Sequence, residues 1–172
     1  MNEAGIHLLL RITARATFVL FFFAFTGSAL RDLFSSSFAS WLARKRDWFL
    51  VAMAGSHSVH LAAIIALFEL IGWSRLRLVT LLGGGFVYLL IYLLAANALG
   101  RMWSGREGFL VGSLKSEAVA LYLIWLIFAV AFIPRMVSGW PVYSLFGAAA
   151  IVALITRIVC RVRHRRAMAG VA

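Results

Sequence analysis

Five apolar stretches, each close to twenty residues or longer, leave this chain few folds to choose from. A helix needs about 20 predominantly apolar residues to cross the hydrocarbon layer of a bilayer. Within lipid, its backbone polar groups must be satisfied inside the segment itself. The stretches run from about 14 to 33, 48 to 73, 78 to 99, 117 to 136 and 142 to 162. The expected fold is all-α, a polytopic membrane helix bundle of about five transmembrane helices, with residues 1–172 forming a single membrane domain. Composition agrees with this reading. Charged residues make up 13% of the chain, against about 25% in soluble domains. The connections are short, so consecutive helices should be antiparallel neighbours.

The chain carries 17 Lys/Arg against 6 Asp/Glu, a formal charge of +11. The basic residues cluster between apolar runs, where they read as topology signals and lipid headgroup contacts rather than a nucleic-acid surface. If the five runs alternate across a bilayer, five Lys/Arg fall on the N-terminal side and twelve on the other. The positive-inside rule then puts the N-terminus outside and the C-terminus in the cytoplasm of a bacterial inner membrane. The tail "RIVCRVRHRR" would touch anionic lipid there, and His164 belongs to it. The single cysteine, Cys160, excludes an intrachain disulfide and reads as a small packing residue. The first run follows Arg11 and Arg15 but lacks a cleavage site, so no cleaved signal peptide is expected.

The second run, "AMAGSHSVHLAAIIALFEL", carries His57, His60 and Glu69 in an otherwise nearly apolar segment. Ionisable residues inside a membrane helix mark function or an internal partner. Three residues apart, His57 and His60 lie on neighbouring parts of one helix face. They point the same way, so they cannot ligate one haem from opposite sides. Glu69 lies nine residues beyond His60, roughly 13 Å along the axis, too far to share a metal with it. Haem ligation, another metal or proton path, and interhelical hydrogen bonding with Ser56 and Ser58 remain as readings. "GGG" at Gly83 to Gly85 admits close approach of a flat cofactor or of another backbone. Tight helix packing through small residues is the favoured reading there.

"RDWFLVAMAGSHSVHLAAI", from Arg46 to Ile64, resembles the signature helix of the ferric-reductase-like transmembrane family. That family includes the haem-binding membrane subunit of the bacterial periplasmic methionine sulfoxide reductase system. Arg44, Lys45 and Arg46 match its basic edge, and Val59-His60-Leu61 its histidine triplet. "TARATFVLFFFAFTGSALRDL" resembles the preceding family helix, while "YLLAANALGRMW" and "LYLIWLIFAVAFI" resemble later ones. Two departures stand out. The first of the family's usual six helices has no counterpart, and Lys115 or Glu117 stands where the partner histidine is expected.

The resemblance implies a membrane electron-transfer component of cytochrome b character. It would bind at most one haem b, with His60 as iron ligand and His57 as alternate ligand or partner behind it. The chain has no dinucleotide fingerprint, so a separate reductase or periplasmic redox protein would be its partner, with a homo-oligomer as a further option. The alternative is a non-catalytic interaction or assembly subunit that keeps the fold without haem.

Overall fold

The structure, a computed structural model, describes residues 2–75, 78–104, 114–138 and 141–169. Within these it describes all side chains but those of Arg75, Val79, Thr80, Ser104, Leu114, Lys115 and Ser138. Arg77, Arg106 and the Arg75 and Lys115 side chains, all part of the charge count, therefore lie outside the described residues. Six α-helices and no strand occur among the described residues: α1 (Glu3–Leu33), α2 (Ser37–Arg44), α3 (Arg46–Ile71), α4 (Leu78–Ser104), α5 (Leu114–Phe132) and α6 (Pro141–Ala169). All but α2 are long and apolar enough to cross a membrane. The all-α class and the five membrane-length helices are as expected from the sequence, and the chain is an integral membrane protein on that ground.

The helices depart from expectation in three places. Helix α1 begins eleven residues earlier than the apolar run suggested. Asn2 caps it, its Oδ1 accepting the Gly5 N–H at 3.0 Å, and Ile6 is buried. Arg11 was read as a boundary, but it sits on an exposed position of a continuous helix. Helix α6 likewise continues through the basic tail to Ala169, exposed from Arg161 onward. Helix α2 was not expected at all. Ser36 caps it through its Oγ, which accepts the Ala39 N–H at 3.1 Å. Ala39 and Leu42 are buried while Phe38 and Trp41 are exposed, the pattern of a helix lying in a membrane interface.

The prolines and one glycine punctuate as their backbone limits require. Pro141 is the first residue of α6, and a short 3₁₀ segment, Pro134–Ser138, follows α5. Gly72 closes α3 with φ of 93°, its N–H donating to Phe68 O at 2.9 Å. Glu69, in the last turn of α3, accepts the Trp73 indole N–H at 3.1 Å. It serves the helix end and lies apart from the histidines.

The chain divides into two compact units. Unit 1 comprises Met1–Phe21 and Asp47–Ala120. It holds the first half of α1, nearly all of α3, all of α4 and the start of α5. Contacts Thr13 with His60 and Thr17 with Ser56 run α1 antiparallel to α3. Asp47 with Arg101 and Ser58 with Tyr92 do the same for α3 and α4. Phe18, Phe21, Leu50, Met53, Ile91 and Leu94 are buried in this unit. In lipid such burial acts through close packing, because lipid tails are as apolar as these side chains. Leu81, Leu82 and Leu89 point outward, which suits a lipid-facing surface.

Unit 2 comprises Phe22–Arg46 and Leu121–Ala172. Gly27 brings α1 against α2: a Cβ there would sit 3.2 Å from the Leu42 backbone. Helix α6 turns Gly147, Ala150 and Ala153 inward at three-residue spacing, and the Trp125 indole N–H donates to Ala150 O at 2.9 Å. Phe25 and Tyr122 meet edge to face at 5.3 Å.

Candidate functional site

The candidate site lies at mid-length of α1, α3 and α4, within unit 1. Three neighbouring positions of α3, Ser56, His57 and Ser58, with His60 one turn on, face two different helices. Ser56 and His60 meet α1, where Thr17 Oγ1 lies 3.0 Å from Ser56 Oγ and Thr13 Oγ1 lies 2.8 Å from His60 Nδ1. Ser58 meets α4, its Oγ 2.8 Å from the Tyr92 hydroxyl.

The directions of these bonds are assigned from the helix geometry. Thr13 Oγ1 lies 2.8 Å from Leu9 O, one turn back on its own helix, and we assign its one hydroxyl proton there. With that assignment its oxygen accepts from His60, and the His60 proton sits on Nδ1. The lone pair of the neutral ring is then on Nε2, which makes no hydrogen bond among the described residues. Ser58 repeats the device: its Oγ lies 2.9 Å from Ala54 O, and with its proton assigned there it accepts from the Tyr92 hydroxyl.

His57 and His60 stack at 5.3 Å with their rings 8° from parallel. They point the same way, as helix geometry required, and cannot flank one metal-bearing ring. Tyr88 also packs on His57, at 4.2 Å between ring centroids, and in turn neighbours Tyr92 at 6.2 Å. His57 Nδ1 and the Tyr88 hydroxyl are buried without a hydrogen-bond partner.

The glycine run departs from the packing reading. A Cβ on Gly83, Gly84 or Gly85 would meet nothing within 4 Å. Gly84 lies one turn before Tyr88, on the side of α4 that Tyr88 presents to α3. Gly85 is exposed and shares the outward face of Leu81, Leu82 and Leu89. Because α4 runs antiparallel to α3, Gly84 lies on the His60 side of Tyr88. Small residues here leave room instead of drawing backbones together.

The residues proposed in place of a second histidine are elsewhere. Glu117 accepts from Arg101 Nη1 at 2.9 Å, and Arg101 also donates to both carboxylate oxygens of Asp47, at 3.0 and 2.5 Å. Asp47 opens α3, thirteen residues from His60, which is roughly 20 Å along the axis. Glu117 is anchored at that distant end and cannot face His60 across a ring. The Lys115 side chain lies outside the described residues, in the same first turn of α5. His7 pairs with Glu3 at 3.5 Å, six residues before Thr13. Among the described residues no group of three or more His, Cys, Asp and Glu is placed to hold a metal ion.

Sequence reasoning singled out His57 and His60 but gave no role to Tyr88 or Tyr92 and no hydrogen-bonding role to Thr13. Their spacing gave a usable signal only for the tyrosines, which lie four apart in an apolar helix. No protein-family model, curated protein or solved structure matches this chain.

Proposed function

We propose that the chain is a membrane electron-transfer component resembling the ferric-reductase-like family, with one haem b held through His60. The observation that carries this reading is the 2.8 Å contact between His60 Nδ1 and Thr13 Oγ1, with the ring proton assigned to Nδ1. Metal-binding histidines almost always commit their other ring nitrogen in this way, fixing tautomer and ring orientation. Thr13 sets the Nε2 lone pair, His57 braces the ring by stacking, and Gly84, where a Cβ would meet nothing within 4 Å, leaves open space beside Tyr88. A b-type haem supplies reversible one-electron chemistry. The chain's residues orient the ligand nitrogen and surround it with apolar helix. Unit 1 offers one oriented ligand nitrogen, at His60, and a second ligand would have to come from outside unit 1.

The charge asymmetry supports a bacterial inner-membrane orientation with the C-terminus in the cytoplasm. Electrons would then come from a quinone or a separate cytoplasmic reductase and pass to a partner at the outer face. The test is the absorption of the detergent-purified protein with and without dithionite, after expression with ample haem. A reduced b-type spectrum lost in His60→Ala is the expected result. A colourless wild-type protein would refute it.

A second reading, an interaction or assembly subunit without haem, is favoured by one observation. Glu117, in the first turn where the family's partner histidine is expected, is committed to Arg101. A colourless but stably folded protein would favour this reading.

A further inference from the structure

We propose that unit 2 binds the phosphodiester headgroup of one anionic phospholipid, in the cleft between the end of α1 and the last turns of α6. The cleft holds about 380 Å³ and is lined by Asp32, Leu33, Cys160, Arg163, His164 and Ala167. Cys160, His164 and Ala167 recur at the spacing of one helix face, with Arg163 beside them. From Arg157 to Arg166 this helix carries five arginines and no acidic residue.

Arg163 is the arginine lining the cleft, and two features leave the cleft little negative charge to match it and its neighbour Arg157. Its single carboxylate, Asp32, is engaged by Arg31, whose Nε and Nη2 both donate to Oδ1 at 3.0 Å. The Cys160 thiol approaches Asp32 Oδ2 at 3.9 Å. One turn deeper on the face of Cys160, the Arg157 guanidinium lies over the Phe25 ring at 4.7 Å and near Tyr122 at 5.9 Å. Those rings hold the cation by its face. Its Nε is buried without an acceptor, and Arg157 has no ion pair among the described residues. Charges within a membrane helix ordinarily pair, and here only aromatic faces meet the cation. A forked guanidinium prefers a phosphate's paired oxygens, and Arg163 stands at the mouth.

The source of the phosphodiester is the lipid itself. The cleft opens at the ends of two membrane-length helices, where headgroups lie, and Leu33 and Ala167 give it apolar flanks. Arg161, Arg165 and Arg166 are exposed on the same turns of α6 without lining the cleft, and add attraction of the less local kind.

Native mass spectrometry of the full chain in neutral detergent tests this, with equimolar phosphatidylglycerol and phosphatidylcholine of matched acyl chains. The expected result is a one-to-one adduct favouring phosphatidylglycerol, reduced about fivefold by Arg163→Gln. Arg157→Gln should reduce it similarly, with a retained cooperative thermal transition showing that the fold persists. The double variant Arg165→Gln/Arg166→Gln should leave the preference in place. Equal binding of the two lipids would overturn the proposal. So would a loss in the double variant as large as in Arg163→Gln, because it would mean diffuse attraction to the tail. Soluble glycerophosphate binding as tightly as the lipid would overturn the lipid assignment.

Discussion

Arg101→Leu should destabilise the protein by about 3–4 kcal/mol, because it removes the guanidinium that neutralises a buried carboxylate. Arg101 closes α4, while Asp47 and Glu117 open α3 and α5, so one guanidinium ties three helix ends. Each charge also sits at the helix terminus whose dipole favours it. The Glu117 side chain is only 5% exposed, against 25% for Asp47 and 22% for Arg101. Removing one partner of a buried pair costs about 3–5 kcal/mol, through the uncompensated charge left behind. Asp47 reaches water and adds about 1 kcal/mol or less, so Glu117 dominates. Arg101→Leu/Glu117→Leu should recover most of the loss, since an apolar replacement of a buried pair is often near neutral. Glu117→Gln should cost about 1–2 kcal/mol, as its amide oxygen still accepts from Arg101 without the charge. Equilibrium unfolding in mixed micelles, followed by circular dichroism, measures all three. If Arg101→Leu were within 0.5 kcal/mol of wild type, roughly the scatter of ordinary surface changes, the assignment of a buried ion cluster would fail. It would fail equally if the double variant were no more stable than the single one.

Thr13→Val removes the acceptor of His60 Nδ1–H and should weaken haem retention about ten- to hundredfold, read as the haem-to-protein ratio after purification. Tyr88→Phe deletes a buried hydroxyl that has no partner and should be neutral or stabilising in thermal unfolding. Tyr92→Phe should instead lose about 1 kcal/mol with its bond to Ser58. Gly84→Ala meets nothing and should gain about 0.5–1 kcal/mol from helix propensity. Gly27→Ala meets the Leu42 backbone at 3.2 Å and should destabilise in the same assay. Gly84→Phe should keep the fold and lower haem retention.

The membrane helices were legible because a bilayer imposes length and apolarity directly on sequence. Their ends were less so. Arg11 looked like a boundary, yet a helix can carry an arginine on an exposed face without ending there. Helix α2 is eight residues long with five of them apolar, too short for a hydropathy reading to detect. Its signal was local: Ser36 as cap, then Phe38 and Trp41 flanking the buried Ala39. The shared face of His57 and His60 was also legible, since three-residue spacing fixes it before any tertiary contact forms.

What the sequence could not show is which distant groups complete those local patterns. Thr13 is 47 residues from His60, and Arg101 is 54 from Asp47. The same residue types could have met other partners under another packing. Glu117 illustrates the difference. By position alone it stood in for a missing ligand, whereas its contacts make it a counter-ion at a helix end. The glycines reversed in the same way, since smallness permits either close packing or open space, and only the neighbouring helix decides. At His60 the decisive detail is finer still. A hydroxyl whose proton goes to its own helix can only accept, and with that assignment α1 dictates which nitrogen on α3 keeps its lone pair.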